Sequence, residues 1–338
     1  MIGVSSHHKP AAWLTGSLGT MALAKAAVSL PSRRAARRPL RIAILSYDRP
    51  EYLRYMLLSL RRQLRPADRV TLFQDGARNP YSKKLKADPD RIDACVGLFR
   101  QILPHGKVIR SPTNLGIAAN YERAENHIFG EREAPYALFL EDDLILSPHY
   151  LNAVDALLRL AQQDERIAYV AAYGDLFSGL STQWKNRDRL IPMHENWGFA
   201  MTRRAWQDER PYRRRYLALL EGTDYSERDH DRIRDLFREW GFDTRVTSQD
   251  AARWLASLYL GKVRVTTSAC YAHYIGLFGE HARPDYYFSS GFHRTIMAPW
   301  LPAPAYEMTD DEFEGWLGVE QARFSEAPQR VVYDSYQS

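Results

Sequence analysis

Residues 136–148 read YALFLEDDLILSP. Tyr136 to Leu140 form an unbroken apolar run, as in a strand whose sheet is covered on both faces. Glu141, Asp142 and Asp143 then follow without a spacer. Three adjacent carboxylates at a strand end repel one another and are costly to hold without a cation. A hard divalent ion with oxygen ligands resolves the repulsion and can also hold a diphosphate. The alternative is a solvated acidic turn, a common way to end a strand. The apolar strand aims the triplet at the edge where such sheets bind ligands, which favours the functional reading.

Upstream, the pattern alternates between strand and helix. RIAILS (41–46) and RVTLFQ (69–74) are strand-like runs, closed by Tyr47-Asp48-Arg49-Pro50 and by Asp75-Gly76. Pro50 suits a helix start, with Leu53, Met56, Leu57, Leu60 and Leu64 at helical spacing. Asp88-Pro89 opens a second helix striped by Ile92, Cys95, Val96, Phe99 and Ile102, and KVIR (107–110) is a third strand. Asn114 is placed to cap a further helix, and Ser147-Pro148 to open another. Four such units predict an α/β fold with a mostly parallel, doubly covered, Rossmann-like sheet. No Gly-x-Gly-x-x-Gly follows the first strand and no Walker loop occurs, which argues against a dinucleotide dehydrogenase and a P-loop NTPase.

Beyond residue 165 the pattern is less regular and rich in Tyr, Trp and Arg, apart from a strand-like RIAYVAAY (166–173) and a helix around Ala251, Leu255 and Leu258. We divide the chain into an N-terminal extension (1–39), a first half with a nucleotide-binding pattern (40–165), a less regular second half (166–298) and a C-terminal tail (299–338). Cys95 and Cys270 show no metal-ligand spacing and read as small buried side chains.

The net charge is +5, and much of the basicity is local: Arg33, Arg34, Arg37, Arg38 and Arg41 sit close together. A solvated arm is the first reading of this run, an anionic membrane surface the second and nucleic acid the last, since no nucleic-acid module accompanies it. Residues 11–30 are only mildly apolar, too weak for a spanning helix, and resemble at most a poor signal peptide. A cytoplasmic protein is expected, with peripheral contact at the inner face of the membrane and no nucleic-acid partner.

Four segments recur in a familiar order: SYDRP (46–50), QDG (74–76), NLGIAANY (114–121) and FLEDDLILSP (139–148). Together they resemble inverting GT-A glycosyltransferases, both family 2 and the N-acetylglucosaminyltransferases with the same Glu-Asp-Asp triplet. WGFA (197–200) with Arg204 and Trp206 is similar to the Trp-Gly-Trp-Ala stretch of bacterial members. IGLFGEH (275–281) is similar to their glycine-histidine segment in shortened form, with Glu280 replacing a glycine.

The resemblance implies a GT-A fold and transfer of a sugar from a nucleotide-sugar donor to a carbohydrate or lipid-linked acceptor, with Mn2+ or Mg2+ as cofactor. It implies that Asp143 binds the metal, with His281 as a candidate ligand and His273 a weaker one. Asp142 would lie by the ribose or share the ion. Asp75 would contact the base, with Tyr47 and Arg49 lining the same pocket, while Asn114 would face the donor. Trp197 would wall the sugar site. The resemblance places the general base before a helix in the second half, and Asp250 is the choice; helix capping is its structural alternative. The rival functions are a sugar nucleotidyltransferase, which would carry a glycine-rich loop after the first strand, and an inactive carbohydrate-binding relative.

Overall fold

The computed structural model describes residues 37–279 and 283–325. The chain runs β1 (Arg41–Ser46), α1 (Pro50–Arg61), β2 (Arg69–Gln74), α2 (Pro89–Ile102), β3 (Lys107–Arg110), α3 (Ile117–Glu125), β4 (Tyr136–Glu141) and β5 (Leu144–Leu146). There follow α4 (Tyr150–Gln163), β6 (Ile167–Ala171), α5 (Leu180–Lys185), β7 (Leu190–Pro192), β8 (Gly198–Thr202), α6 (Arg203–Ala218) and α7 (His230–Glu239). The described part ends with α8 (Gln249–Tyr259), β9 (Val263–Thr267), β10 (Ala272–Tyr274), α9 (Pro284–Ser289) and α10 (Asp310–Ser325).

Eight strands form one sheet in the order β3-β2-β1-β4-β8-β6-β9-β7, and β5 pairs with β10 in a small separate ribbon. β3, β2, β1 and β4 are mutually parallel, as the four apolar runs predict. β8 enters antiparallel between β4 and β6, so the less regular second half completes the same sheet. The pairs Ser46↔Gln74 and Leu45↔Glu141 set the carboxyl ends of β1, β2 and β4 level at one edge. Three turns therefore emerge side by side: 47–49, 75–76 and 142–143.

The helix starts follow local chemistry. Asp88 caps α2 by accepting from the Asp90 amide, and Pro50 and Pro89 stand at first-turn positions where no N–H is needed. Asn114 is not a cap: α3 starts after Gly116, whose φ of +76° suits glycine. Ser147 lies just ahead of α4, which begins at Tyr150, and the residues between Asp143 and Ser147 form β5, a strand the sequence pattern did not reveal.

Two arginines of the basic run are part of the fold rather than a solvated arm. Arg37 is buried, its guanidinium forking onto the Asp68 carboxylate and onto backbone carbonyls of Arg38 and Gln63. Asp68 also accepts from the Leu40 and Arg65 amides, and this knot joins the chain entering β1 to the turn entering β2. Arg38 binds Asp155 of α4 at 2.7 Å and lies over the Tyr136 ring. At the other end, Ala303, Tyr306, Met308 and Phe313 join the main core, and Phe324 of α10 packs edge-on against Trp254. The segment set apart as a tail is thus packed as far as it is described. Both cysteines are buried. Among the described residues no helix is long and apolar enough to cross a membrane.

Removing Arg37 would strand the buried Asp68 carboxylate with backbone donors alone. Arg37→Ala is expected to cost about 3 kcal/mol in a urea titration, whereas the exposed Arg41→Ala should change little.

Candidate active site

The acidic triplet begins where β4 ends. Glu141 is held at its amide by the Trp197 carbonyl (3.0 Å) and accepts from the Tyr121 hydroxyl at 3.0 Å. Asp142 and Asp143 are both buried. The Arg49 guanidinium, from the turn after β1, binds Asp142 through one nitrogen and lies 3.0 Å from Asp143 Oδ2 through the other. One oxygen of each aspartate, Asp142 Oδ2 and Asp143 Oδ1, is buried without a hydrogen-bond partner among the described residues.

Burial raises all three carboxyls above their ordinary range, and it outweighs the attraction of Arg49. Asp142 is pushed up to about 6. Glu141 is raised by burial and then by the negative charges of Asp143 and Asp250. Burial works against the Arg49 charge, but Asp142 and Asp143 more than compensate and keep the guanidinium protonated. Arg49 therefore supplies the positive charge that the triplet demands. The sequence resemblance assigned it to the wall of a base pocket; here its partners are the two aspartates.

Asp75 is engaged on both oxygens. Oδ1 accepts from the Gly76 and Leu115 amides (2.8 Å each), and Oδ2 from the Gly116 amide (3.0 Å) and Asn114 Nδ2 (3.3 Å). A single carboxylate thus gathers the 114–116 turn onto the end of β2. Gly76 is required there, because a Cβ would lie 2.4 Å from the Thr113 backbone. Tyr47, half-buried, offers its carbonyl to Gln74 Nε2.

The second half contributes from above β8 and α8. Ser248, not Asp250, caps α8, accepting from the Ala251 amide. Asp250 Oδ1 accepts from Asn196 Nδ2 at 2.9 Å and from Gln249 Nε2. Gln249 is held in turn by Arg253 Nε (2.8 Å), and Arg253 pairs with Glu125 of α3 at 2.7 Å. Arg213 of α6 binds the same glutamate, and all three side chains are buried. Arg253 also lies over the Tyr121 ring, whose hydroxyl meets Glu141.

Trp197 is half-buried and stacks on Tyr274, with ring centroids 4.1 Å apart and planes within 6°. Phe292 meets both rings edge-on. One indole face is therefore covered by tyrosine. The 275–279 segment starts on the triplet: the Ile275 amide donates to the Asp143 carbonyl and the Phe278 amide to the Tyr52 hydroxyl, 2.8 Å each. His281 lies outside the described residues. His273 uses its ring nitrogens on the Thr295 carbonyl and the Tyr287 hydroxyl, a structural role. Among the described residues no three His, Cys, Asp or Glu side chains form a ready-made metal cluster.

Sequence reasoning missed Glu195. It is half-buried, and its backbone amide donates to the Tyr173 hydroxyl at 2.8 Å. Burial, and then the charge of Asp250, pushes it up to about 8. Its place two residues before Trp197 was the one available signal.

A family model for glycosyl transferase family 2 matches residues 41–221. Among solved structures the chain is similar to residues 1–349 of S. aureus TarS, with 14% identity, 75% of this chain and 62% of that chain covered, and a TM-score of 0.38. It is also similar to the mannosyltransferase PcManGT from Pyrobaculum calidifontis, in complex with GDP-Man and Mn2+, with 13% identity, 85% and 70% covered, and a TM-score of 0.44. The chain spans less than two thirds of the TarS fragment's length. No curated relative matches in sequence. The family match takes in β1 to β4, the Glu141-Asp142-Asp143 turn and β8, more than half of the chain, which therefore belongs to glycosyl transferase family 2.

Proposed function

We propose that the protein is a divalent-metal-dependent, inverting glycosyltransferase that moves a sugar from a nucleoside-diphosphate sugar to a hydroxyl of a carbohydrate or lipid-linked acceptor. The observation that carries this reading is the Asp142–Asp143 pair, buried at the carboxyl edge of the sheet with one unpartnered oxygen on each residue. Such a two-carboxylate set suits Mn2+ or Mg2+, hard cations that fill their remaining positions with phosphate oxygens and water. When bound there, the ion would offset the charge of the donor diphosphate. Asp143 and Asp142 would hold it, with His281 as a further candidate.

The chain's own groups divide the remaining work. Residues 40–165 bind the donor: the turns bearing Tyr47, Asp75 and Asn114 surround the nucleotide, and Arg49 turns from the aspartates toward the diphosphate. Residues 166–298 bind the acceptor beside Trp197. Asp250, held through Oδ1 by Asn196 and Gln249, takes the proton of the acceptor hydroxyl. The acceptor oxygen bonds to the anomeric carbon as the bond to the nucleoside diphosphate breaks on the opposite face, which inverts that centre. Glu195, close enough to Asp250 to feel its charge, holds a proton near neutrality and serves as a second acceptor-side acid. Surface polysaccharide or glycoconjugate synthesis is the setting we infer. The family match favours this reading over a sugar nucleotidyltransferase, and the loop after β1 has no glycine.

The direct test is slow donor hydrolysis with Mn2+ and a panel of UDP-, GDP- and dTDP-sugars. Asp143→Asn should abolish Mn2+-dependent donor binding by calorimetry without unfolding the chain; full activity in EDTA would remove the metal from the reading. Asp250→Asn should slow transfer by about 10²–10⁴-fold with donor affinity unchanged, the range of a lost general base. A rate near wild type would exclude Asp250 from the chemistry.

Glu195 gives a test that needs no substrate. Its folded pKa, about 8, lies above the unfolded carboxyl value, so ionising it opposes folding once the pH rises past the unfolded value. Glu195→Gln should therefore match wild-type thermal stability near pH 5 and exceed it near pH 9. Equal melting curves at both values would mean that the carboxyl is not raised.

A further inference from the structure

One face of the second half carries a density of exposed apolar side chains that the catalytic reading leaves without a role. Thirteen large apolar side chains are strongly exposed among the described residues, and six fall in two short segments, 177–184 and 288–301. These are Phe177, Leu180, Trp184, Phe288, Ile296 and Leu301, each 39–54% exposed.

The two segments form one surface. The buried Gln183 donates to the Ser178 carbonyl at 2.7 Å and to the Ile296 carbonyl at 2.8 Å, pinning α5 to the 295–298 strip. Trp184 meets Trp300 edge-on at 5.1 Å. Gly291 leaves room for the Phe177 ring, which would lie 3.2 Å from a Cβ there, and Phe288 packs on His293 at 5.2 Å.

Cations rim this surface. Residues 177–189 hold Lys185, Arg187 and Arg189 against one acid, Asp188, and residues 288–301 add Arg294 with no acid. Arg187 lies flat over the Trp184 ring, 4.4 Å from its centroid. Lys185, Arg189 and Arg294 are exposed and make no ion pair among the described residues, so their charges are open to solvent. Tryptophan and phenylalanine side chains projecting among unpaired lysine and arginine make an amphipathic surface suited to the boundary between acyl chains and anionic headgroups.

We propose that this face, built from α5 and residues 288–301, docks the enzyme onto an anionic lipid bilayer. The rings enter the headgroup boundary while Lys185, Arg187, Arg189 and Arg294 meet lipid phosphates. Its residues are other than those of the arginine run at 33–41. It also bears on the acceptor, given the catalytic reading proposed above. Phe292 sits between Gly291 of the docking face and Arg294, and its ring is 5.2 Å from Trp197 and 5.4 Å from Tyr274. Docking would therefore hold the aromatic wall of the acceptor site one short turn from the membrane, within reach of a sugar carried on a lipid.

The experiment is flotation of the full chain with vesicles of phosphatidylcholine alone and of phosphatidylcholine mixed with phosphatidylglycerol. Wild type should float with the anionic vesicles, less with neutral ones, and less again as salt is raised. The double variant Phe177→Ser with Trp184→Ser should partition about tenfold or more weakly, the order expected when two aromatic anchors leave an interface. It should keep donor hydrolysis and its melting temperature, so that loss of docking and failure of the catalytic reading are read separately. If the double variant does not fold, Lys185→Ser with Arg294→Ser supplies the test: the preference for anionic over neutral vesicles should fall. Three results would overturn the proposal: wild type that ignores anionic vesicles, variants that bind them as wild type does, or a wild-type dimer in sedimentation that the double variant dissociates without any vesicle binding.

Discussion

The organisation of the carboxyl edge of the sheet depends on one electrostatic problem, the placement of Glu141, Asp142 and Asp143 in succession at a strand end, with both aspartates out of water. Left alone, such a cluster would protonate or unfold the turn. Arg49 meets the problem from the neighbouring strand with a guanidinium that spans both aspartates, a geometry a lysine ammonium could not reproduce. The bridge requires β1 and β4 to be adjacent and to end level, which their parallel register ensures. Pro50 starts α1 immediately after the arginine and keeps the turn short.

The same edge is stiffened on its other side by Asp75, whose four accepted hydrogen bonds leave its carboxylate little freedom. Burial still raises this carboxyl, against the three backbone amides that favour its charge. A base contact by Asp75 would therefore mean sharing oxygens that already hold the 114–116 turn. The second half is joined to this edge by a ladder and by a charge cluster. β8 pairs directly with β4, and the Trp197 carbonyl accepts from the Glu141 amide, so Trp197 and the triplet are held in one piece of sheet.

How legible this was in the sequence differed by element. β1, β2, β3 and β4 were readable because an apolar run bounded by turn residues has few other interpretations, and α2 announced itself through Asp88-Pro89. β5 and β8 were not, for different reasons. Leu144–Leu146 is three residues long and continues an apolar stretch, so no period exists to detect. Gly198–Thr202 was read for its resemblance to a motif, and nothing local says that it runs antiparallel between two parallel groups; that is a tertiary outcome. Among site residues, the triplet and Asp250 were visible as acids at element ends. Arg49 was visible, but its partner lay 93 residues away. Glu195 carried no spacing signal, since what distinguishes it is its setting beside Asp250 in the folded chain. Arg37 and Arg38 were misread because charge runs are usually solvated, and only the folded chain reveals the buried Asp68 and the nearby Asp155.

Behind Asp250, the charges of Glu125, Arg213 and Arg253 are locked together out of solvent, with Glu209 close to Arg213. Helix α8 is thus fastened to α3 and α6 by groups that cannot be exchanged one at a time. Neutralising any one of them strands a buried charge, while a coordinated swap of several would restore balance. Over long divergence such a cluster resists drift: single replacements are eliminated and compensated pairs arise rarely. The floor beneath the proposed base is therefore a place where related chains should either keep the whole set or replace it wholesale, while the exposed loops around it are free to vary with the sugar each one handles.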